Sequence, residues 1–275
     1  MLEARNVVAS YGKTRVLNRL SVGFATGRLT ALVGPNGCGK STLLKAIMGF
    51  VPVQSGEVTL AGVPLGRIGR RGLARRIAYL PQESHCPDYM TLGELVELAG
   101  YARYSLIGGP SARDRKLFAH ALETVGLADM ANRQVNALSG GQRQRAFIAM
   151  VLAQDAETVL MDEPVNHLDM KYQYAVLDLV RELTEIHGKT VVTVLHDLNL
   201  TTTFADDVVM MREGRIEAAG AVAETVTAEA VSRVFGLESD IFVRDGRLVC
   251  LPNRRGRGEP ALSPGPELDR KRAQA

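Results

Sequence analysis

The chain has 275 residues, 46% hydrophobic and 23% charged, an ordinary balance for a globular protein long enough to bury a sizeable core. Its net charge of +3 is carried by the stretch after Asn253, where Arg254, Arg255, Arg257, Arg270, Lys271 and Arg272 outnumber Glu259, Glu267 and Asp269. The rest is formally neutral, which argues against a nucleic-acid-binding surface, and no apolar run reaches the roughly 18 residues that cross a bilayer. Cys38, Cys86 and Cys250 are too widely spaced for a disulfide framework or a zinc site. Glu3 comes early and no signal-peptide core follows, so a cytoplasmic location is expected, with any membrane association made through a partner.

The first residues read as strands, ending in the apolar run Leu29-Thr30-Ala31-Leu32-Val33. Within them Tyr11, in Ser10-Tyr11-Gly12, offers a ring that can stack on adenine, although a lone aromatic beside a turn is more often a packing residue. Gly34-Pro35-Asn36-Gly37-Cys38-Gly39-Lys40-Ser41-Thr42 follows at once and fits the P-loop spacing. Its glycines let the backbone curl so that successive N–H groups point at phosphate oxygens. A helix expected over 40–48, stopped by Gly49 and Pro52, presents its positive end to the same anion. Lys40 is expected to reach the β- and γ-phosphates of a nucleotide and Ser41 to ligate Mg²⁺.

Strand patterns return at 57–60 and 77–80. Gln82, just beyond, is an amide that can join the shell of Mg²⁺ or of an attacking water. From 91 to 137 the spacing turns helical, with Leu92, Leu95, Val96 and Leu98, then Leu117, Ala121, Leu122 and Val125. A loop with Gly108, Gly109 and Pro110 divides this helical insert.

Leu138-Ser139-Gly140-Gly141-Gln142 comes next. Ser139 suits the N-cap of a helix expected from about 142 to 154. Two glycines at that start build a second anion-binding end, in addition to that of the P-loop. One chain has no evident need of two γ-phosphate cradles, whereas a head-to-tail pair does, each chain's second cradle closing on the other's ATP.

The strand patterns 158–161 and 190–195 are continuous apolar or β-branched runs, as buried parallel strands require. The first ends in Asp162-Glu163. In a P-loop protein Asp162 is placed to hold the Mg²⁺ shell, and Glu163 to orient and polarise the attacking water. The second run ends at His196. Strand ends of a parallel sheet share one edge, so Gly34, Asp162 and His196 should converge, with His196 in reach of the γ-phosphate. Hairpins are expected at Glu213-Gly214 and Asp245-Gly246, and residues 253–275, rich in Pro, Gly and charge, read as a disordered tail. The expected fold is α/β: a P-loop NTPase core with a mostly parallel sheet, an N-terminal antiparallel β region and a helical insert over about 91–140, all within residues 1–252.

Across 1–252 this resembles the nucleotide-binding subunit of ABC transporters. Tyr11, the Walker A segment from Gly34 to Thr42, the Q-loop Gln82, the signature from Leu138 to Gln142, Walker B Asp162-Glu163, a D-loop ending at Asp169 and the switch His196 stand in family order. Asp169 joins the site on that ground alone. The resemblance implies an ATPase that uses ATP and Mg²⁺, two subunits sandwiching two ATP molecules. It implies polytopic permease subunits as partners, a substrate-binding protein as an indirect one, no nucleic acid, and a peripheral place on the cytoplasmic face of the inner membrane. Asn166-His167-Leu168-Asp169, His196-Asp197-Leu198-Asn199-Leu200, Phe235-Gly236-Leu237 and Cys38 look like the subfamily importing ferric siderophores, haem and cobalamin; Val165 departs from its usual Thr or Ser. The alternatives are an exporter or another importer, and a soluble ABC ATPase acting on ribosomes or DNA. Against that last reading stand a single cassette and the lack of any heptad run.

Overall fold

The computed structural model describes residues 1–104, 109–166 and 168–253. Gly108 of the expected loop, His167 and the expected tail from 254 onward lie outside the described residues. Strands β1 (Leu2–Tyr11) and β2 (Thr14–Phe24) pair antiparallel, β3 (Leu29–Val33) leaves them for a second sheet, and helix α1 (Lys40–Ile47) follows. β4 (Val53–Leu60) and β5 (Val63–Pro64) complete the first sheet, α2 (Arg70–Ala74) leads away, and β6 (Ile77–Leu80) enters the second. Then come α3 (Leu92–Leu98), α4 (Ala112–Thr124), α5 (Gly140–Ala153), β7 (Thr158–Met161), α6 (Met170–Glu185), β8 (Thr190–Val194) and α7 (Leu198–Phe204). The chain finishes with β9 (Asp207–Arg212), β10 (Arg215–Ala221), α8 (Val222–Thr225), α9 (Ala228–Phe235) and the hairpin β11 (Ser239–Arg244) and β12 (Arg247–Pro252).

The larger sheet has the order β10-β9-β3-β8-β7-β6, parallel throughout except for β10. The smaller, β2-β1-β4-β5, is antiparallel. Alternation along each buried strand divides the core in two. Leu29, Ala31, Val33, Val159, Met161, Val191, Val208 and Met210 face a cluster built with the helices α3 to α7 and α9. Leu32, Leu160, Val192, Val194, Val209 and Met211 face the other way, onto α1 and the antiparallel sheet. Both faces are covered, which is why these strands read as unbroken apolar runs.

The helical segment departs from its expected outline in several places. Its two helices are followed by single 3₁₀ turns at Ala128–Met130 and Val135–Ala137, and Leu98 is 51% exposed at a helix end instead of packed. α5 begins at Gly140, two residues before the apolar period reveals it, because Ser139 accepts from Gln142 N and Gln142 reaches back to Ser139 N in a capping box. β4 starts at Val53, not 57; Gln54, Ser55, Gly56 and Glu57 are exposed and carry no alternation. Both predicted hairpins form, with Glu213 and Gly214 at φ 50° and 75° and Asp245 and Gly246 at 50° and 76°, as a type I′ turn requires.

Candidate active site

Parallel pairing brings the C-terminal ends of β3, β8, β7 and β6 to one edge of the sheet. β3 hands over there to the P-loop. Gly34 has φ 150°, and a Cβ on it would lie 2.1 Å from the Met211 carbonyl, so the loop passes β9 too closely for any side chain. The amides of Lys40, Ser41 and Thr42 open α1 and have no intrahelical partner. These residues, with Asn36, Gly37 and Gly39, line a cavity of about 650 Å³. Gln82, Glu163, Asn166 and His196 close its other side. The curled amides and the helix end form a cradle that fits a triphosphate.

Lys40 is buried, its Nζ donating to the carbonyls of Gly34 (2.8 Å) and Pro35 (3.1 Å). The lysine thus braces the loop whose cavity it lines. Cys38 faces inward, away from the cavity lining; burial pushes its thiol up, with Lys40 pulling the other way. Gly34 and Pro35 contribute carbonyls to the loop and do not line the cavity.

Ser41 Oγ donates to Asp162 Oδ1 at 2.9 Å, and the Tyr79 hydroxyl stands 3.5 Å from Oδ2. Asp162 is fully buried; burial, and then the Glu163 charge, push its carboxyl up against the pull of Ser41. Burial and the Asp162 charge likewise push the Tyr79 phenol up, which keeps it a donor. The Ser41 hydroxyl, the Asp162 carboxylate and the Gln82 amide oxygen are hard oxygen donors, a set that fits Mg²⁺.

Glu163 is the most constrained group of the site. Its backbone is left-handed, with φ 56°. Oε1 lies 2.6 Å from His196 Nε2, and Oε2 accepts from Gln82 Nε2 at 2.8 Å and from Asn166 Nδ2. The Glu163 side chain is 9% exposed and that of His196 36%. Tyr79 escaped the sequence reading, and Asn166 entered it only through the subfamily resemblance, without a place in the site. Asn166 reaches the site because the chain turns back there, its N donating to the Glu163 carbonyl; Tyr79 had no signal beyond its place on a strand.

Other expected site residues stand apart. Tyr11, at the end of β1, is 50% exposed and outside the cavity lining. Ser139, Gly140, Gly141 and Gln142 form the first turn of α5 and do not line this cavity. Asp169 caps α6, accepting from Tyr172 N at 3.1 Å. Gln144 of α5 donates to the Pro164 carbonyl at 2.6 Å, joining the signature helix to the loop after Glu163.

The model of the ABC transporter family matches residues 17–166. This chain belongs to the ABC transporter family. It is accordingly an ATP-binding ATPase. The ABC cassette is 38% identical to the petrobactin import ATP-binding protein FpuD of Bacillus anthracis, over 93% of this chain and 94% of that one. It is 40% identical to the ferric enterobactin transport ATP-binding protein FepC of Escherichia coli strain K12, over 88% and 89%. Among solved structures, a metal-chelate type ABC transporter in an inward-facing conformation superposes with a TM-score of 0.79 at 25% identity, covering 92% of this chain and 96% of its own. ABC cassettes dimerise and work with membrane components. Among the described residues no helix of this cassette is long and apolar enough to cross a membrane.

Proposed function

We propose that this cassette is the ATP-hydrolysing subunit of an importer whose cargo is a ferric siderophore, haem or a similar metal chelate. It works as a head-to-tail pair of identical chains under polytopic permease subunits, at the cytoplasmic face of the inner membrane. A substrate-binding protein delivers the cargo. Likeness to FpuD, FepC and the metal-chelate transporter supports the cargo class.

The observation that carries the ATPase reading is the Glu163 carboxylate on the cavity wall, held by His196, Gln82 and Asn166. A carboxylate fixed opposite the phosphate cradle can accept a proton from water as that water attacks the terminal phosphorus. Gln82 and Asn166 orient it, and His196 bridges it to the γ-phosphate. Lys40 and the amides of α1 bind the β- and γ-phosphates. Ser41, Asp162 and Gln82 would hold Mg²⁺, which when bound neutralises charge on the phosphate oxygens. Tyr11 stacks on adenine. The first turn of α5, with Ser139 to Gln142, lies outside its own chain's cavity and serves the ATP of the second copy, with Asp169 near that contact.

Cargo is tested by deletion. Loss of growth on ferric siderophores as sole iron source, restored by the wild-type gene and not by its Glu163→Gln version, is the expected result. Unimpaired uptake of labelled ferric siderophores and haem in the deletion strain would count against the cargo.

A further inference from the structure

α5 carries residues 139–142 at its first turn, while its far end is held from outside the helix. Arg103 turns two guanidinium nitrogens onto that end, Nη1 donating to the Gln154 carbonyl (2.5 Å) and Nη2 to the Ala153 carbonyl (2.9 Å), while Nε donates to Asp114 Oδ1 of α4 (2.7 Å). The two carbonyls close α5, where the helix itself supplies no donors, and a cation there also meets the negative end of the helix dipole. Asp114 is buried and locked in the capping box of α4 with Ser111.

The segment that bears Arg103 is tied to the sheet side. Arg71 Nε and Arg75 Nε, from α2 and the residue after it, donate to the Ala102 carbonyl at 2.9 and 2.8 Å. Gln154 closes the ring, its Nε2 donating to the carbonyls of Ala74 (2.7 Å) and Ile77 (3.0 Å), where α2 gives way to β6.

We propose that Arg103 is a positioning residue for ATP hydrolysis, pinning the C-terminal end of α5 to the α2–β6 junction and so setting the angle at which the other end presents residues 139–142 to the second copy's ATP. This rests on the two-copy reading above. A helix of 14 residues is a lever of about 21 Å. A tilt of about 5° at the pinned end moves the far end by roughly 2 Å, and a misplacement of about 1 Å at a reacting site can cost on the order of 100-fold in rate.

Arg103→Gln and Arg103→Lys, made in the full chain, test the pin through steady-state hydrolysis and through equilibrium binding of a non-hydrolysable ATP analogue. The expected result is a fall in kcat of about tenfold or more for Arg103→Gln, with KM and analogue affinity within about twofold, and partial recovery in Arg103→Lys. An unchanged kcat overturns the proposal, and so does an equal loss of analogue affinity. Should Arg103→Gln fail to fold, Gln154→Ala removes only the bonds to Ala74 and Ile77; the same kcat-selective loss is expected, and normal turnover overturns the pin. Sedimentation of the Glu163→Gln chain with ATP separates the two readings. A monomer there removes the two-copy reading and this proposal with it; a dimer together with undiminished turnover in Arg103→Gln removes the pin alone.

Discussion

His196 Nε2 and Glu163 Oε1 stand 2.6 Å apart although they leave two different strands, β8 and β7, and are separated by 33 positions of chain. The pair exists because the two strands lie side by side in parallel register, Met161 opposite Thr193. The two side chains are thereby brought together by the backbone hydrogen bonds of the sheet.

Glu163→Gln keeps the size and hydrogen-bonding shape of the side chain and removes the proton acceptor. Hydrolysis should fall by at least about 100-fold while ATP binding survives, and ATP should trap the chain as a dimer in analytical ultracentrifugation. Normal turnover by the variant would take Glu163 out of the role of base.

Ser139→Arg places a long cation at the first turn of α5, outside the cavity of its own chain. Turnover should drop by roughly 100-fold, with far-UV circular dichroism and ATP binding by the monomer retained. Full hydrolysis by a demonstrably monomeric variant would defeat the head-to-tail arrangement.

Asp114 carries a pH signature. Burial alone would raise its carboxyl, but hydrogen bonds from Ser111 and Arg103 outweigh that and hold it below its ordinary value. A carboxyl depressed in the folded chain lends stability above the unfolded pKa and loses it as pH falls through the folded one. Asp114→Asn should therefore destabilise by about 1–3 kcal/mol at neutral pH, with the gap to wild type narrowing as the solution is acidified. Urea titrations across pH measure this, and a gap that widens toward acid would contradict it.

Gly214 and Gly62 share nearly the same left-handed backbone, φ 75° and 76°, in different surroundings. A Cβ on Gly214 would meet the Val16 carbonyl at 2.0 Å, whereas one on Gly62 meets nothing within 4 Å. Gly62→Ala should cost about 1 kcal/mol and Gly214→Ala more than about 3 kcal/mol in urea unfolding. Gly214 N also donates to the Cys38 carbonyl at 2.9 Å, so the second variant should lose ATP affinity as well.

What could be read from sequence follows from how local each signal is. The P-loop is nine consecutive residues with a strand before and a helix after, and Asp162 and His196 sit at the ends of apolar runs whose shared edge follows from parallel pairing. Tyr79 and Asn166 reach the site through contacts no period announces, and Arg103 meets carbonyls about 50 positions away. Ser139 was legible as the N-cap of α5 and serves as one, while the first turn was expected to start two residues late because its two glycines carry no apolar period. The exposed half of β4 left no alternation to read.

The left-handed backbone at Glu163 has a bearing on how such cassettes respond to selection. An L-residue held there costs about 1–2 kcal/mol that glycine would not, and the contacts that His196, Gln82 and Asn166 make to its carboxylate hold it in that strain. A library ranked only by survival of heating would therefore not enrich glycine at this position, because relief of the backbone leaves three polar partners without their acceptor.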